Sequence, residues 1–183
     1  MVREVVTLLV LSKGQIHHSG GLDLTGSPDL VLLPENVANI NGAVAGSAFD
    51  TAIAGLAREL NTNIIAGITE SEDEGFRNAS VLWGPDGHRL GRYEKHHRVP
   101  FGEYIPWRGL FERLSEDTRF IPRDAIAGTG PAVLAPEGTP RLRIVISYEV
   151  FFASRVADAV GRGGQLLLAP TNASSFITDE EEA

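Results

Sequence analysis

Short apolar runs alternate along this chain with stretches of helical periodicity, a pattern that predicts an α/β fold. Val5 to Leu11, broken only by Thr7, reads as a first strand. Leu30–Leu33 reads as a second, and its unbroken apolar character is that of a strand buried on both faces. Between them, His17-His18-Ser19-Gly20-Gly21 has the composition of a loop. From Ser47 to Leu60 the apolar positions Phe49, Ile53, Leu56, Ala57 and Leu60 share one helical face. Asn61 and Asn63 close that helix, and a strand carrying Ile64, Ile65 and Ile68 runs from Asn63 to Thr69.

Ala79–Trp83 and Arg89–Tyr93 flank Gly84-Pro85-Asp86-Gly87, so two extended runs joined by a tight turn predict a β-hairpin. Lys95 to Arg108 has no clean period and is punctuated by Pro100, Gly102 and Pro106, which predicts a long structured loop of the kind that carries function. Beyond it, Ala132–Leu134 and Leu142–Ile146 read as strands, Phe151–Val160 as a helix and Gln165–Ala169 as a last strand. No repeat, low-complexity tract or linker divides the chain, so residues 1–183 are expected to form one domain.

Composition narrows the function. Hydrophobic residues make up 43% and charged residues 22% of 183, an ordinary globular balance with room for a core. The net charge of -8 argues against nucleic acid as a partner, because phosphate binding needs clustered Lys and Arg. Part of that charge is Asp179, Glu180, Glu181 and Glu182, which read as a solvated end. The absence of cysteine removes disulfides, thiolate metal sites and thiol catalysis together. Val5–Leu11 is far short of the roughly 20 residues that cross a bilayer, and Ser12, Lys13 and Gln15 cut it too early for a signal peptide. The chain itself therefore reads as soluble, a domain or a fragment of something larger. His17, His18, His96 and His97 do not suggest a metal site, since adjacent histidines diverge and neither pair has a further ligand at a familiar spacing. Surface exposure is the expectation for His17 and His18, and His96 and His97 are assigned to the loop that positions Lys95.

Three segments carry candidate chemistry, each where a strand gives way to a loop or turn, the region where sites gather in open α/β sheets. They are Leu32-Leu33-Pro34-Glu35-Asn36, Tyr93-Glu94-Lys95-His96-His97 with the following Arg98 to Pro106, and Ile144-Val145-Ile146-Ser147-Tyr148-Glu149. A carboxylate, an ammonium and a nucleophile make an acyl-transfer set. The carboxylate takes the nucleophile's proton, and the ammonium with backbone N–H groups stabilises the oxyanion. A nucleophile between a strand and a helix N-terminus also gains from the helix dipole. Taken singly, each segment has a plainer reading: a solvated loop Glu, a surface Lys beside histidines, and a Ser that caps a helix.

Their order and wording together resemble the nitrilase superfamily, whose members use a Glu–Lys–Cys triad in that chain order. The stretch Tyr93-x-Lys95-x-x-x-Val99-Pro100-Phe101-Gly102-Glu103-Tyr104 resembles the apolipoprotein N-acyltransferase branch, as does Ser147-Tyr148-Glu149 against a Cys-Tyr-Glu pattern. The likeness runs from about Leu30 to Asn172. It implies a nitrilase-type four-layer αββα sandwich, with Glu35 as general base, Lys95 as oxyanion cation and Ser147 at the nucleophile position. Glu103 would support Lys95, Tyr148 and Glu149 would line the site, and Phe101 and Tyr104 would shape an acyl-chain entrance or pack in the core. The implied reaction moves an acyl chain from a phospholipid, through an acyl-enzyme, to the N-terminal amine of a diacylglyceryl-cysteine lipoprotein. It needs no metal or organic cofactor. The implied parent protein sits in the bacterial cytoplasmic membrane through transmembrane helices that this chain lacks, with the domain on the outer face.

The chain departs from that pattern at Ser147, where the family's cysteine should be. A hydroxyl is much harder to ionise than a thiol, whose pKa is about 8.5, so the substitution predicts an inactive or strongly impaired nucleophile. Two further departures are a chain that stops at Ala183, short of the family's last strands and helix, and a short glycine-containing Ser12–Ser27 where the family places a long helix. Together they predict a fold truncated at its C-terminus. Two competing readings share the fold: a soluble nitrilase-type amidase, and a non-catalytic module that binds lipid or protein. The Pro-Phe-Gly-Glu-Tyr wording favours the acyltransferase over the first, and the intact Glu35 and Lys95 argue against the second. Oligomeric state has no signature in the sequence.

Overall fold

A computed structural model describes residues 8–12, 15–19, 28–113, 121–136 and 140–172, the first two ranges as backbone only. The solvated end expected at Asp179–Glu182, the start of the first strand at Val5 and the exposure of the His17 and His18 side chains lie outside the described residues.

Among the described residues the chain forms β1 (Leu8–Ser12), β2 (Gln15–Ser19), β3 (Leu30–Leu32), β4 (Ala38–Asn41), α1 (Ala48–Leu60), β5 (Asn63–Glu72), β6 (Gly75–Trp83) and β7 (Arg89–Glu94). There follow α2 (Arg108–Phe111), β8 (Val133–Leu134), β9 (Leu142–Ile144), a 3₁₀ turn (Ser147–Phe151), α3 (Ala153–Gly161) and β10 (Leu166–Leu168). One sheet runs β2-β1-β3-β5-β6-β7, with β4 also paired to β5; a second runs β10-β9-β8.

The layers follow from the two-residue period of the strands. On β3, β5 and β6, Val31, Ile64, Ala66, Ile68, Val81 and Trp83 face α1 and pack on Ile53, Ala54 and Ala57. Their neighbours Leu30, Leu32, Ile65 and Leu82 face the other way and join Leu134, Leu142, Ile144 and Leu168 of the second sheet, with Ala159 of α3 in the same cluster. The order is therefore helix, sheet, sheet, helix. The continuous apolar runs of β3 and β5 have this cause, since both faces are covered.

Helix α1 begins where Ser47 accepts from Asp50 N at 3.0 Å and ends at Asn61, whose left-handed φ of 48° closes it. Both are ordinary terminating devices. Trp83 Nε1 donates to Asp50 Oδ1 at 2.9 Å, which fixes the helix to the sheet by its first turn.

The structure corrects the element reading in four places. His17, His18 and Ser19, read as loop, lie in β2, which pairs antiparallel with β1 from Leu8↔Ser19 to Ser12↔Gln15; backbone pairing overrides composition there. Strand β4 was not expected, because its residues alternate half-buried and exposed over only Ala38–Asn41. Helix α2 is a four-residue turn that starts at Arg108, where the expected loop ends, too short for a period to register. The last helix starts at Ala153 rather than Phe151, because Ser147–Phe151 forms a separate 3₁₀ turn. No helix among the described residues is long and apolar enough to cross a membrane.

Candidate active site

Glu35 sits in a turn just past β3, and that turn is fastened to β5. Leu33 N donates to Ile65 O at 2.8 Å, Gly67 N to Pro34 O at 3.1 Å, and Val37 N to Gly67 O at 2.9 Å. Asn36 takes the left-handed φ of 55° that the reversal requires. The approach is so close that a Cβ on Gly67 would lie 2.4 Å from Pro34 O and 2.6 Å from Glu35 Cα. Only glycine permits it.

Lys95 follows β7 directly. Its N–H donates to Asn78 O and its carbonyl accepts from Gly128 N, both at 2.8 Å. The residue is 2% exposed and its side chain points to two carboxylates: Nζ lies 2.9 Å from Glu35 Oε1 and 2.8 Å from Glu103 Oε1. Glu103 is held on its other oxygen by Val99 N at 2.8 Å. Burial alone would lower the Lys95 pKa, but the charges of Glu35 and Glu103 more than offset it and hold the value above that of a free lysine. The ammonium therefore stays charged at neutral pH.

Ser147 opens the 3₁₀ turn after β9 with a φ of 49°, a left-handed conformation that is strained for an L residue with a side chain. Its N–H donates to Pro170 O at 3.0 Å. Two residues further along, Asn172 N donates to Glu35 Oε2 at 3.2 Å. The segment after β10 thus ties both the Glu35 turn and the Ser147 turn to itself. The helix dipole expected at Ser147 is absent: α3 begins only at Ala153, and its N-cap is Phe152. Nor is Ser147 a cap, since it is the first residue of the 3₁₀ turn and Ile146 precedes it.

Glu149, expected to line the site, is instead fully buried beneath it. Its carboxylate accepts from Tyr93 OH at 2.7 and 2.8 Å, His96 N at 2.9 Å, His97 N at 3.1 Å and Ile146 N at 2.9 Å. One side chain therefore knots the Lys95 loop to the Ser147 turn. Burial, then the neighbouring Glu149 charge, raises the Tyr93 phenol well above its ordinary pKa, so it remains a donor. Arg155 Nε donates to the same phenol oxygen at 3.1 Å.

The outer residues are looser. Tyr148 is half-buried, edge-on to Phe151 and Phe152. Phe101 is 59% exposed, with its ring edge-on to Phe111, so the core packing weighed for it does not occur. Tyr104 is half-buried under the Arg98 guanidinium, 4.4 Å from its ring centre. His96 is exposed, its Nδ1 2.7 Å from Gly128 O, and His97 stacks on Phe152 with ring centres 3.8 Å apart. Among the described residues no group of His, Cys, Asp and Glu side chains is placed to hold a metal.

The structure therefore brings Glu35, Lys95 and Glu103 into direct contact and joins Ser147 to them through backbone. Sequence reasoning missed Asn78, whose Nδ2 donates to Glu35 Oε1 at 2.7 Å and to Glu103 Oε1 at 3.2 Å. A signal existed: Asn78 is polar at a position of β6 that shares the inward face of Leu82. Arg155 gave no such signal.

A buried acid–lysine pair at strand ends of an αββα sandwich defines a nitrilase-type domain. The carbon-nitrogen hydrolase family profile matches residues 14–180, and the chain belongs to that family. Curated relatives named apolipoprotein N-acyltransferase include one from Mycolicibacterium smegmatis, 31% identical over 160 residues, covering 81% of this chain and 26% of the relative. Another, from Geobacter metallireducens, is 33% identical over 155 residues, covering 82% and 29%. The chain thus spans between a quarter and a third of the length of these relatives. Among solved structures, a variant of the amidase from Nesterenkonia sp. AN1 in complex with butyramide superposes with a TM-score of 0.50 at 24% identity, over 68% of this chain and 41% of that one. That likeness shows the fold. In another variant of the same amidase the acetamide moiety of fluoroacetamide is added covalently at the active site cysteine.

Proposed function

We propose that this chain is the acyl-transfer domain of an apolipoprotein N-acyltransferase, built around Glu35, Lys95 and position 147. The observation that carries the reading is the buried contact of one ammonium with two carboxylates, in a chain whose curated relatives bear that name. Glu35 is the general base, because both oxygens of Glu103 have close donors while Glu35 Oε2 meets, among the described residues, only the longer bond from Asn172. Lys95, held charged, supplies its remaining N–H to the oxyanion.

The chemistry has two halves. The nucleophile at position 147 attacks the ester carbonyl of a phospholipid and passes its proton to Glu35. Collapse of the tetrahedral intermediate breaks the ester bond, and the departing lysophospholipid alkoxide takes that proton. The N-terminal amine of a diacylglyceryl-cysteine lipoprotein then attacks the acyl-enzyme. It gives its proton to Glu35, and the nucleophile regains one as it leaves. On this reading the chain is one domain of a longer protein of the bacterial cytoplasmic membrane, and it faces the outer side. Phe101 and Tyr104 border the acyl entrance, and Tyr148 borders the nucleophile.

Ser147 favours a second reading, a nitrilase-fold module that binds acyl substrates without turning them over. Intact mass spectrometry of the chain and its Ser147→Cys variant, each incubated with phospholipid vesicles, separates the two. The expected result is an acyl-sized mass gain on the cysteine variant, with little or none on the parent chain. Absence of the gain on both, with phospholipid still bound, would leave the binding module as the better account.

A further inference from the structure

Resting on the reading just given, we infer that Asn78 is a positioning residue: its amide shares the load of both carboxylates with Lys95 and so keeps the lysine free for the reacting group. Glu35 Oε1 accepts from Lys95 Nζ at 2.9 Å and from Asn78 Nδ2 at 2.7 Å. Glu103 Oε1 accepts from the same two nitrogens, at 2.8 and 3.2 Å. Two donors and two acceptors close a ring. The ammonium has three N–H bonds and the amide two. The ring therefore uses both amide hydrogens and two from the ammonium, and one lysine hydrogen is left over among the described residues.

The rest of Asn78 fits this role. Its backbone carbonyl accepts from Lys95 N at 2.8 Å, so one residue fixes the lysine's place just past β7 and the angle of its acidic partners. It is 2% exposed, yet among the described residues its Oδ1 has no hydrogen-bond partner. A buried acceptor left unpaired is a cost to the fold, and asparagine is a poor strand former. Turning the amide over would satisfy neither carboxylate, because oxygen would then face oxygen. The residue is thus placed for its Nδ2 end, at some expense to packing. Neither Glu35 nor Glu103 has another cation in contact among the described residues.

The test uses the thiol of the Ser147→Cys chain and iodoacetamide, a probe that needs no acyl donor. Asn78→Asp keeps the shape but replaces two donors by a further carboxylate facing Glu35, Glu103 and Lys95. Near neutral pH it should slow alkylation about tenfold relative to Ser147→Cys alone, because added negative charge disfavours the thiolate. As pH falls, the carboxyl introduced by Asn78→Asp takes up a proton and a donor returns, so the ratio of the two rates climbs toward one. Asn78→Ala adds no charge and should slow the reaction at every pH without that recovery. Circular dichroism at each pH follows folding; an Asn78→Asp chain that folds only on acidification, beside a folded Asn78→Ala chain, supports the same assignment. Rates like the parent's in both variants, or a depressed ratio for Asn78→Asp that does not change with pH, would overturn it. A different failure has a different sign: if the Ser147→Cys thiol reacts no faster folded than in urea, the active-site reading itself falls, whatever Asn78 does.

Discussion

Lys95 carries the only cation in contact with Glu35 and Glu103 among the described residues, and all these groups are largely removed from water. Removing one partner of a buried ionic set leaves uncompensated charge, at a cost of about 3–5 kcal/mol. Lys95→Met should lower the unfolding free energy by that amount in urea titration. The pH dependence has a definite sign. The folded pKa lies above the unfolded value of about 10.4, so the contribution is complete below that value and is lost as pH rises through the folded one. The gap between the chain and Lys95→Met should stay flat from about pH 7 to about pH 9 and close at higher pH; a gap that closes near neutrality would refute the pairing. His97 has the opposite behaviour. Burial first, then the charges of His96 and Arg155, hold it below its ordinary pKa against the pull of Glu149. The unfolded chain then binds more protons near and below about pH 6.5, so acidification destabilises the fold. His97→Gln should flatten the fall in denaturation midpoint between about pH 7 and pH 5, and an unchanged slope would assign it to another group. At this scale Glu35, Lys95 and Glu103 were legible because each stands in a short, distinctive phrase of sequence. Asn78 and the knot around Glu149 were not, since hydrogen bonds between distant segments leave no local pattern.

At the scale of elements, the Glu35 turn depends on how close β5 lets it come. Gly67→Ala would place a Cβ against Pro34 O and Glu35 Cα, both backbone, so neither can swing away. Overpacking of this kind costs about 1–3 kcal/mol, and Gly67→Ala should show that loss in urea unfolding together with a lost acyl adduct in the Ser147→Cys background. Full stability and full reactivity would mean the turn is not set by this contact. The strands β3, β5, β6 and β7 and helix α1 were readable from period and caps because packing and propensity agree there. Strand β2 was hidden by its histidines and serine, whose pairing with β1 is decided by the backbone. The 3₁₀ turn at Ser147 was hidden for another reason: a turn that bends at positive φ looks, in sequence, like the first turn of α3.

On the scale of the whole molecule, the two sheets place the ends of β3, β7 and β9 together, and the segment after β10 laces them. The four-layer fold was legible through the family resemblance more than through composition, because the alternation of faces on β3 and β5 disappears in sequences apolar on both sides. The central claim is that Glu35, Lys95 and position 147 act as one unit. Its most direct test is the time course of acyl-adduct formation from phospholipid, by intact mass, for Ser147→Cys alone, with Glu35→Gln, with Lys95→Met, and with both. A single unit predicts that either added substitution removes nearly all the adduct and that the second adds little further loss. Adduct formation that survives Glu35→Gln, or losses that simply multiply, would contradict the account.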